Sequence, residues 1–254
     1  MLFSTPSTPK PKEAKSILLI GPPGGGKTAL LMQFPQVAFL DCDRNLDGPE
    51  LFIRSKNKEL SYGYIPITYD EKGKAIPTHE CYDRIIETLG SLKGDSSIQT
   101  VGLDGLTMIN EFIIQSILKS KNISELETRH WDTVKSKYFR MIATAMRDLG
   151  KTTIISCHEK AIVRADKDPK NMMEKIIVGY EPHVQSGIRE AMPGFFTDVW
   201  RCYAQPAPGD RREFVIQTEA TPQHNFLKNS MMMEGKIVVP KGELAWEKIK
   251  KYFL

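Results

Sequence analysis

Gly21-Pro22-Pro23-Gly24-Gly25-Gly26-Lys27-Thr28 follows the apolar run Ser16-Ile-Leu-Leu-Ile20 and leads into Ala29-Leu-Leu-Met-Gln-Phe34. The run before it has the length and continuous apolarity of a strand buried on both faces. The run after it reads as the first turns of a helix. Gly-x-x-x-x-Gly-Lys-Thr between a strand and a helix is the P-loop spacing, and each part has a physical task. The glycines let the chain turn sharply and bring bare N–H groups against phosphate oxygens. The helix N-terminus adds partial positive charge at the same place. Lys27 is placed to reach the β- and γ-phosphates, and the Thr28 hydroxyl to ligate Mg²⁺. Residues Gly21 through Ala29 are therefore expected to hold ATP with Mg²⁺.

Downstream, apolar strands repeatedly end in polar groups. Gln36-Val-Ala-Phe-Leu-Asp-Cys-Asp43 reads as a second buried strand, and Ile98-Gln-Thr-Val-Gly-Leu-Asp104 as a third with the Walker B pattern. Asp104 is the expected second Mg²⁺ group beside Thr28. Gly105 follows it, which disfavours enzymes that place the water-activating Glu directly after the Walker B Asp, as AAA+ proteins do. Asp43 is the alternative carboxylate for orienting and deprotonating the attacking water. It reads equally as a solvated loop charge or a cap. Thr152-Thr-Ile-Ile-Ser-Cys157 is a β-branched strand followed by His158-Glu159. His158 reads either as a γ-phosphate sensor that moves the loop behind it or as a structural histidine.

Between these strands the apolar spacing predicts helices over 78–89, 107–119 and 131–149, with Thr78 as N-cap, Gly90 as stop and Gly150 closing the last. Residues 44–61 read as a mixed polar stretch. Tyr64–Tyr69 reads as a strand that Pro66 keeps short or at an edge. Residues 159–195 lack helical period and form a long functional loop with an expected short hairpin, Ala161–Val163 against Lys175–Val178. Phe196–Tyr203 and Glu213–Thr218 are expected to form an antiparallel edge hairpin near the C-terminus, ahead of a last helix over Glu243–Phe253. Strands alternating with helices and ending in functional groups describe a mostly parallel, doubly wound α/β sheet with helices on both faces. Residues 14–254 form its single domain. Residues 1–13, with three prolines, read as a flexible tail.

Composition bounds the class. The 254 residues are 41% hydrophobic, enough to bury a full core, and the net charge of +4 is compatible with a polyanionic partner without requiring one. Cys42, Cys81, Cys157 and Cys202 are scattered and read as reduced, packed thiols. No apolar run has the length of a membrane span and no signal peptide opens the chain, so a cytoplasmic protein without a membrane partner is expected.

Taken in order after the P-loop, Phe-Leu-Asp-Cys-Asp43, Leu-Asp-Gly-Leu-Thr107 and Ser-Cys-His-Glu159 resemble the core of the RecA-type recombinases. The closest resemblance within that group is to the phage RecA-like single-strand annealing ATPases. It covers about Lys15 to Lys228, supported by Trp131, Gly179-Tyr-Glu-Pro182 and Met192-Pro-Gly-Phe-Phe-Thr-Asp198. The resemblance implies a RecA-like P-loop fold, a catalytic acid at Asp43, a sensor at His158 and a DNA-contacting loop between His158 and Phe195. It implies annealing or strand exchange on single-stranded DNA in phage recombination, with rings or filaments holding ATP between subunits. A phage single-strand-binding protein is an implied partner. RecA itself has Glu and Gln where this chain has Asp43 and His158, and its separate C-terminal domain has no counterpart here. Phe3-Ser-Thr-Pro6 weakly echoes the Phe-x-x-Ala segment with which some recombinases dock on the next subunit.

The charges of the 159–195 loop are mixed: Lys160, Arg164, Lys167, Lys170, Lys175 and Arg189 stand among Asp166, Asp168, Glu174, Glu181 and Glu190. From composition alone it is a solvated loop; DNA contact through its cations, with stacking on Tyr180, follows from the resemblance. Lys228, in Phe226-Leu-Lys-Asn229, is the candidate cation for completing a neighbour's ATP site, against the alternative of a solvated lysine. Two other readings stay open. One is a small-molecule or nucleotide kinase, which the mixed charge of the loop suits poorly as a lid. The other is a non-enzymatic, nucleotide-dependent assembly switch, which the absence of Glu at position 105 keeps alive.

Overall fold

The computed structural model describes residues 14–56, 62–167, 173–209 and 211–253. The expected tail 1–13 with Phe3, and Lys170, lie outside these. The P-loop strand β1 (Ser16–Gly21) is followed by a short α1 (Lys27–Leu31), then by β2 (Val37–Asp41), α2 (Asp47–Lys56) and β3 (Gly63–Pro66). Next come α3 (Thr78–Leu92), β4 (Thr100–Asp104), α4 (Leu106–Lys121) and α5 (Trp131–Phe139). β5 (Thr152–Lys167), β6 (Met173–Pro182) and α6 (Ser186–Arg189) lead to β7 (Asp198–Ala207), β8 (Arg211–Gln217), β9 (Lys236–Val239) and α7 (Ala245–Ile249).

The strands form a nine-stranded sheet in the order β3-β2-β4-β5-β1-β7-β8-β9, with β6 attached to β5. β3 through β7 run parallel in this order, and β8 and β9 add antiparallel strands beyond β7. β5 thus separates the P-loop strand from the Walker B strand β4. This is the expected mostly parallel, doubly wound α/β fold with an antiparallel C-terminal edge.

Period-two alternation divides each central strand between two cores. Leu18, Ile20, Leu40, Val101 and Leu103 face one layer, built on α3, α4 and α5. Ile17, Leu19, Val37, Phe39 and Ile154 face the other, where α1 packs with the C-terminal aromatic group of Phe34, Trp246 and Phe253. All four cysteines are buried free thiols. Among the described residues no helix is long and apolar enough to cross a membrane.

Several local expectations are corrected. Residues 47–56 of the expected polar stretch form α2, which buries mainly Ile53 and therefore carries little apolar period. Thr78 is the first helical residue, preceded by Pro77 as N-cap with no side-chain cap, and the helix runs through Gly90 to Leu92. The helix expected over 131–149 stays α-helical to Phe139, then widens into a π-helix over Arg140–Met146 and tightens into a 3₁₀ turn. Among the described residues of 159–195 the expected hairpin is present and longer than expected. β5 is a single strand of 16 residues that leaves the sheet after His158 and pairs antiparallel with β6. The expected edge hairpin is present as β7 and β8, which pair antiparallel; β7 also runs parallel to β1, and β9 extends the antiparallel edge beyond β8. β9 is not expected from the sequence; its four residues are too few for a period to stand out. β3 sits at the sheet edge, as Pro66 requires.

Candidate nucleotide site

The parallel strands β1, β2, β4 and β5 end side by side, and their terminal residues make one cluster. Register sets this: Asp41 lies opposite Asp104, and Gly21 opposite His158. At the centre, Thr28 Oγ1 donates to Asp104 Oδ2 at 2.7 Å. Ser156 Oγ donates to the other carboxylate oxygen of Asp104 and accepts from the Gly105 N–H at 2.9 Å. Asp104 is 3% exposed, and this burial raises its pKa against the opposing pull of the two hydroxyls. Thr28 and Asp104 are thereby held as adjacent oxygen donors.

Lys27, 6% exposed, donates to the carbonyls of Gly21 and Pro22, each at 2.8 Å. Its ammonium is 3.5 Å from His158 Nδ1. Burial lowers the Lys27 pKa, and burial together with the Lys27 charge lowers that of His158. A neutral imidazole facing an ammonium accepts at Nδ1, leaving Nε2 to carry the proton. That Nε2 lies 4.0 Å from Asp43 Oδ2.

Asp43 stands out among these groups. Its Oδ1 is buried without a hydrogen-bond partner. Burial, then the charges of Asp104 and Asp41, raise its pKa to about 6 despite the opposing effect of Lys27. A Cβ built on Gly105 would lie 2.1 Å from this oxygen. The Asp43 carboxylate therefore fills the space that any side chain after the Walker B Asp would need. The glycine that removed one candidate carboxylate from the sequence makes room for another. Gly25 answers a similar constraint, since a Cβ there would meet the Cys202 carbonyl of β7 at 2.4 Å. The P-loop backbone is thus seated directly on the strand beside it.

A cleft of about 520 Å³ opens from Lys27, Thr28, Asp43 and His158 and continues between apolar walls. Phe52 of α2, Phe214 of β8 and Val239 of β9 are among the residues that line it. The volume suits a nucleotide. Sequence reasoning missed these walls. Phe52 stood in a stretch without period, and no spacing rule links residues 52, 214 and 239.

The residues fit the groups that the P-loop implies. Gly24 to Thr28 offer a glycine cradle closed by a buried lysine, as a triphosphate requires. No group of three or more His, Cys, Asp or Glu placed to hold a metal occurs among the described residues. Thr28 and Asp104 instead offer the one-hydroxyl, one-carboxylate set that Mg²⁺ takes together with phosphate oxygens and water.

A family model described as an AAA domain (AAA_24) matches residues 13–229. The chain belongs to that family. Membership in the AAA-domain family qualifies the expectation drawn from Gly105: the position lacks Glu, yet the Asp43 carboxylate, in the turn after β2, lies against it. No curated protein matches the chain. Among solved structures it is similar to the flagellar accessory protein FlaH from Methanocaldococcus jannaschii, at 14% identity, 92% coverage of this chain, 89% of that one, and a TM-score of 0.42. It is also similar to the RadB recombinase, at 13% identity, with 89% and 87% covered and a TM-score of 0.42.

The cluster brings together Lys27, Thr28, Asp43, Asp104 and His158. It does not include Lys228. That side chain donates to the carbonyls of Phe196 at 2.6 Å and Pro193 at 3.3 Å. Its backbone pairs with Val199 near the start of β7, away from the strand ends that carry the P-loop. Tyr180, expected as a base-stacking residue, is stacked instead on His224 at 4.7 Å. Arg201 lies 5.2 Å from the Tyr180 ring centre and grips Glu159 with two hydrogen bonds of 2.8 Å. Sequence reasoning gave Arg201 and Glu159 no joint role, because 42 residues separate them.

Proposed function

We propose that this RecA-like P-loop protein hydrolyses ATP and couples hydrolysis to single-stranded DNA held by the β5–β6 arm. The observation that carries the proposal is the half-buried Asp43 carboxylate, with one buried oxygen short of a partner and lodged against Gly105 across from the Thr28–Asp104 pair. Lys27 binds the β- and γ-phosphate oxygens, and the P-loop amides orient them. Thr28 and Asp104 would hold Mg²⁺, which neutralises charge on the same oxygens when bound. Asp43 takes the proton from the attacking water as oxygen bonds to the γ-phosphorus and the bond to the β–γ bridging oxygen breaks, leaving ADP and phosphate. A carboxylate with a pKa near 6 is deprotonated at pH 7 and still basic enough for this task.

Coupling is supported by the path of β5. The strand passes through the cluster at His158 and continues without a break into the arm. The His158 carbonyl accepts from the His183 N–H at 2.8 Å, just beyond β6, so both roots of the arm meet beside the sensor. Lys160 and Arg164 are exposed on the arm and supply phosphate contacts. Annealing or strand exchange, the phage setting, a single-strand-binding partner and assembly with ATP between subunits are the finer parts of this reading, drawn from the sequence resemblance. In such an assembly Lys228 is the proposed trans-acting cation.

ATP hydrolysis by the purified full chain, with and without single-stranded DNA and beside Lys27→Ala, tests the proposal. DNA-stimulated turnover that vanishes in the variant is expected. Turnover indifferent to DNA, with no DNA binding in ATP at low salt, would sink the DNA-coupled reading.

A further inference from the structure

Asp41 and Asp43 lie two residues apart at the end of β2, and the structure gives them opposite surroundings. Asp41 is 1% exposed and fully engaged. Its Oδ1 accepts from the backbone N–H of Asp43 at 3.1 Å and of Arg44 at 2.9 Å. Its Oδ2 accepts from the Tyr64 hydroxyl at 2.9 Å, and Tyr64 in turn meets the Tyr69 hydroxyl. Asp43, by contrast, keeps a buried oxygen without a partner in the cleft.

The turn between them needs such support. Arg44 has a φ of 56°, a left-handed conformation that a long side chain adopts at a cost. The Arg44 guanidinium is tied down separately, donating to Thr68 Oγ1 and to the Thr68 carbonyl, each at 2.7 Å, and lying 5.1 Å from the centre of the Tyr69 ring. The two N–H groups that Asp41 accepts are those of the base itself and of the strained residue after it. The turn they define aims Asp43 at Gly105.

We infer that Asp41 is the positioning residue for Asp43, fixing the base-bearing turn by accepting its two backbone N–H groups while the edge strand holds Asp41 in place through Tyr64. Asp41 touches neither water nor nucleotide in this role. Its effect passes through the geometry of the turn, where an error of about 1 Å in a reacting group can cost on the order of a hundredfold in rate. The inference rests on the reading of Asp43 as the base, and the closing experiment separates the two.

Asp41→Ala deletes the acceptor. Asp41→Asn keeps Oδ1 for the two N–H groups and turns its amide to the Tyr64 oxygen, which can accept. The readout is kcat and KM for ATP in the full chain, together with the affinity for a fluorescent ATP analogue, which verifies that each variant is folded. Asp41→Ala should lower kcat about tenfold or more with KM within about twofold, the signature of a misplaced base rather than lost binding. Asp41→Asn should restore most of kcat, because it restores the turn without the charge. If Asp43→Asn abolishes turnover while Asp41→Ala turns over like wild type, the positioning role is overturned and the base assignment stands. If Asp41→Asn is as slow as Asp41→Ala, the negative charge and not the acceptor is what matters, and the inference also falls. If Asp43→Asn itself retains full kcat, the assignment of the base fails and the inference goes with it.

Discussion

Two carboxylates at opposite ends of the parallel sheet have opposite surroundings. At the N-terminal end of β7, Asp198 is completely buried, and its two oxygens accept from the Ser230 N–H and hydroxyl, both at 2.7 Å. Nearby, Ser16 and Thr197 exchange backbone and side-chain hydrogen bonds, and Lys228 satisfies two carbonyls. At the other end, Asp43 keeps an oxygen without a partner, and Lys27 and His158 face each other with both pKa values pushed down. Carboxylates and cations appear at both ends, so residue type does not separate Asp198 from Asp43. Their partners do: both Asp198 oxygens have donors, and Asp43 Oδ1 has none. Where donors and acceptors match, a buried charge holds the chain together; where they do not, the protein carries a cost that chemistry can use.

The strongest way to break this contrast is Asp43→Asn. The substitution should lower kcat by roughly 10² to 10³, within the range that a positioned general base contributes. It should also stabilise the fold at pH 8. The Asp43 pKa is raised to about 6, so above that pH the folded chain bears the full cost of a desolvated charge. As pH falls through 6 the folded state takes up the proton before the unfolded state does, and the lost stability returns. Removing the charge should therefore raise stability at pH 8 by on the order of 2 kcal/mol and raise Tm by roughly 4–8 °C. Activity and thermal melts on one preparation check both signs. A variant that is slower and less stable would place Asp43 with Asp198 as a structural carboxylate.

A milder form of the same test needs no substitution. In wild type, log kcat/KM plotted against pH should bend near 6 and fall about tenfold per unit below it, because the protonated carboxyl cannot accept from water. The Asp43→Asn profile should lack this bend. The complementary substitution is Asp198→Ala at the satisfied end. It strands the Ser230 donors and should cost about 1.5–3 kcal/mol of stability while leaving kcat at saturating ATP unchanged. A chemical melt beside a turnover assay reads both. A large loss of kcat in folded Asp198→Ala would erase the distinction between the two ends.

The same contrast explains what was legible in the sequence. The P-loop, Asp104 and the parallel sheet could be read because each is a local pattern: an apolar run, a fixed spacing, a polar stop. Asp43 and His158 could be located but their roles could not, since what gives them meaning is a missing hydrogen bond and a 4.0 Å approach between strands two positions apart in the sheet. α2 escaped because it buries so little of itself; the arm reads as a hairpin but too short a one, because its strand continues out of the sheet with exposed Ile162, Val163, Ile176 and Ile177 in place of alternation. Asp41 read merely as part of a motif. Its saturation depends on Tyr64, whose strand is 23 residues away.

Lys228 gives the smallest expected effect and the sharpest boundary. Its ammonium holds the carbonyls of Pro193 and Phe196, bonds of a kind worth about 1 kcal/mol to a fold. Lys228→Met keeps the apolar stem and should lower Tm by roughly 2–4 °C. In dilute protein, nucleotide affinity should be unchanged, because Lys228 lies outside its own chain's P-loop cluster. A trans-acting role makes a different demand: turnover per site must rise with protein concentration in wild type and fail to rise in Lys228→Met. A concentration series with both proteins decides between them. Equal slopes would leave Lys228 on the structural side of the sheet, where its two carbonyl partners already place its ammonium. A slope lost only in the variant would mean that this satisfied end of one subunit becomes, on assembly, part of the unsatisfied end of the next.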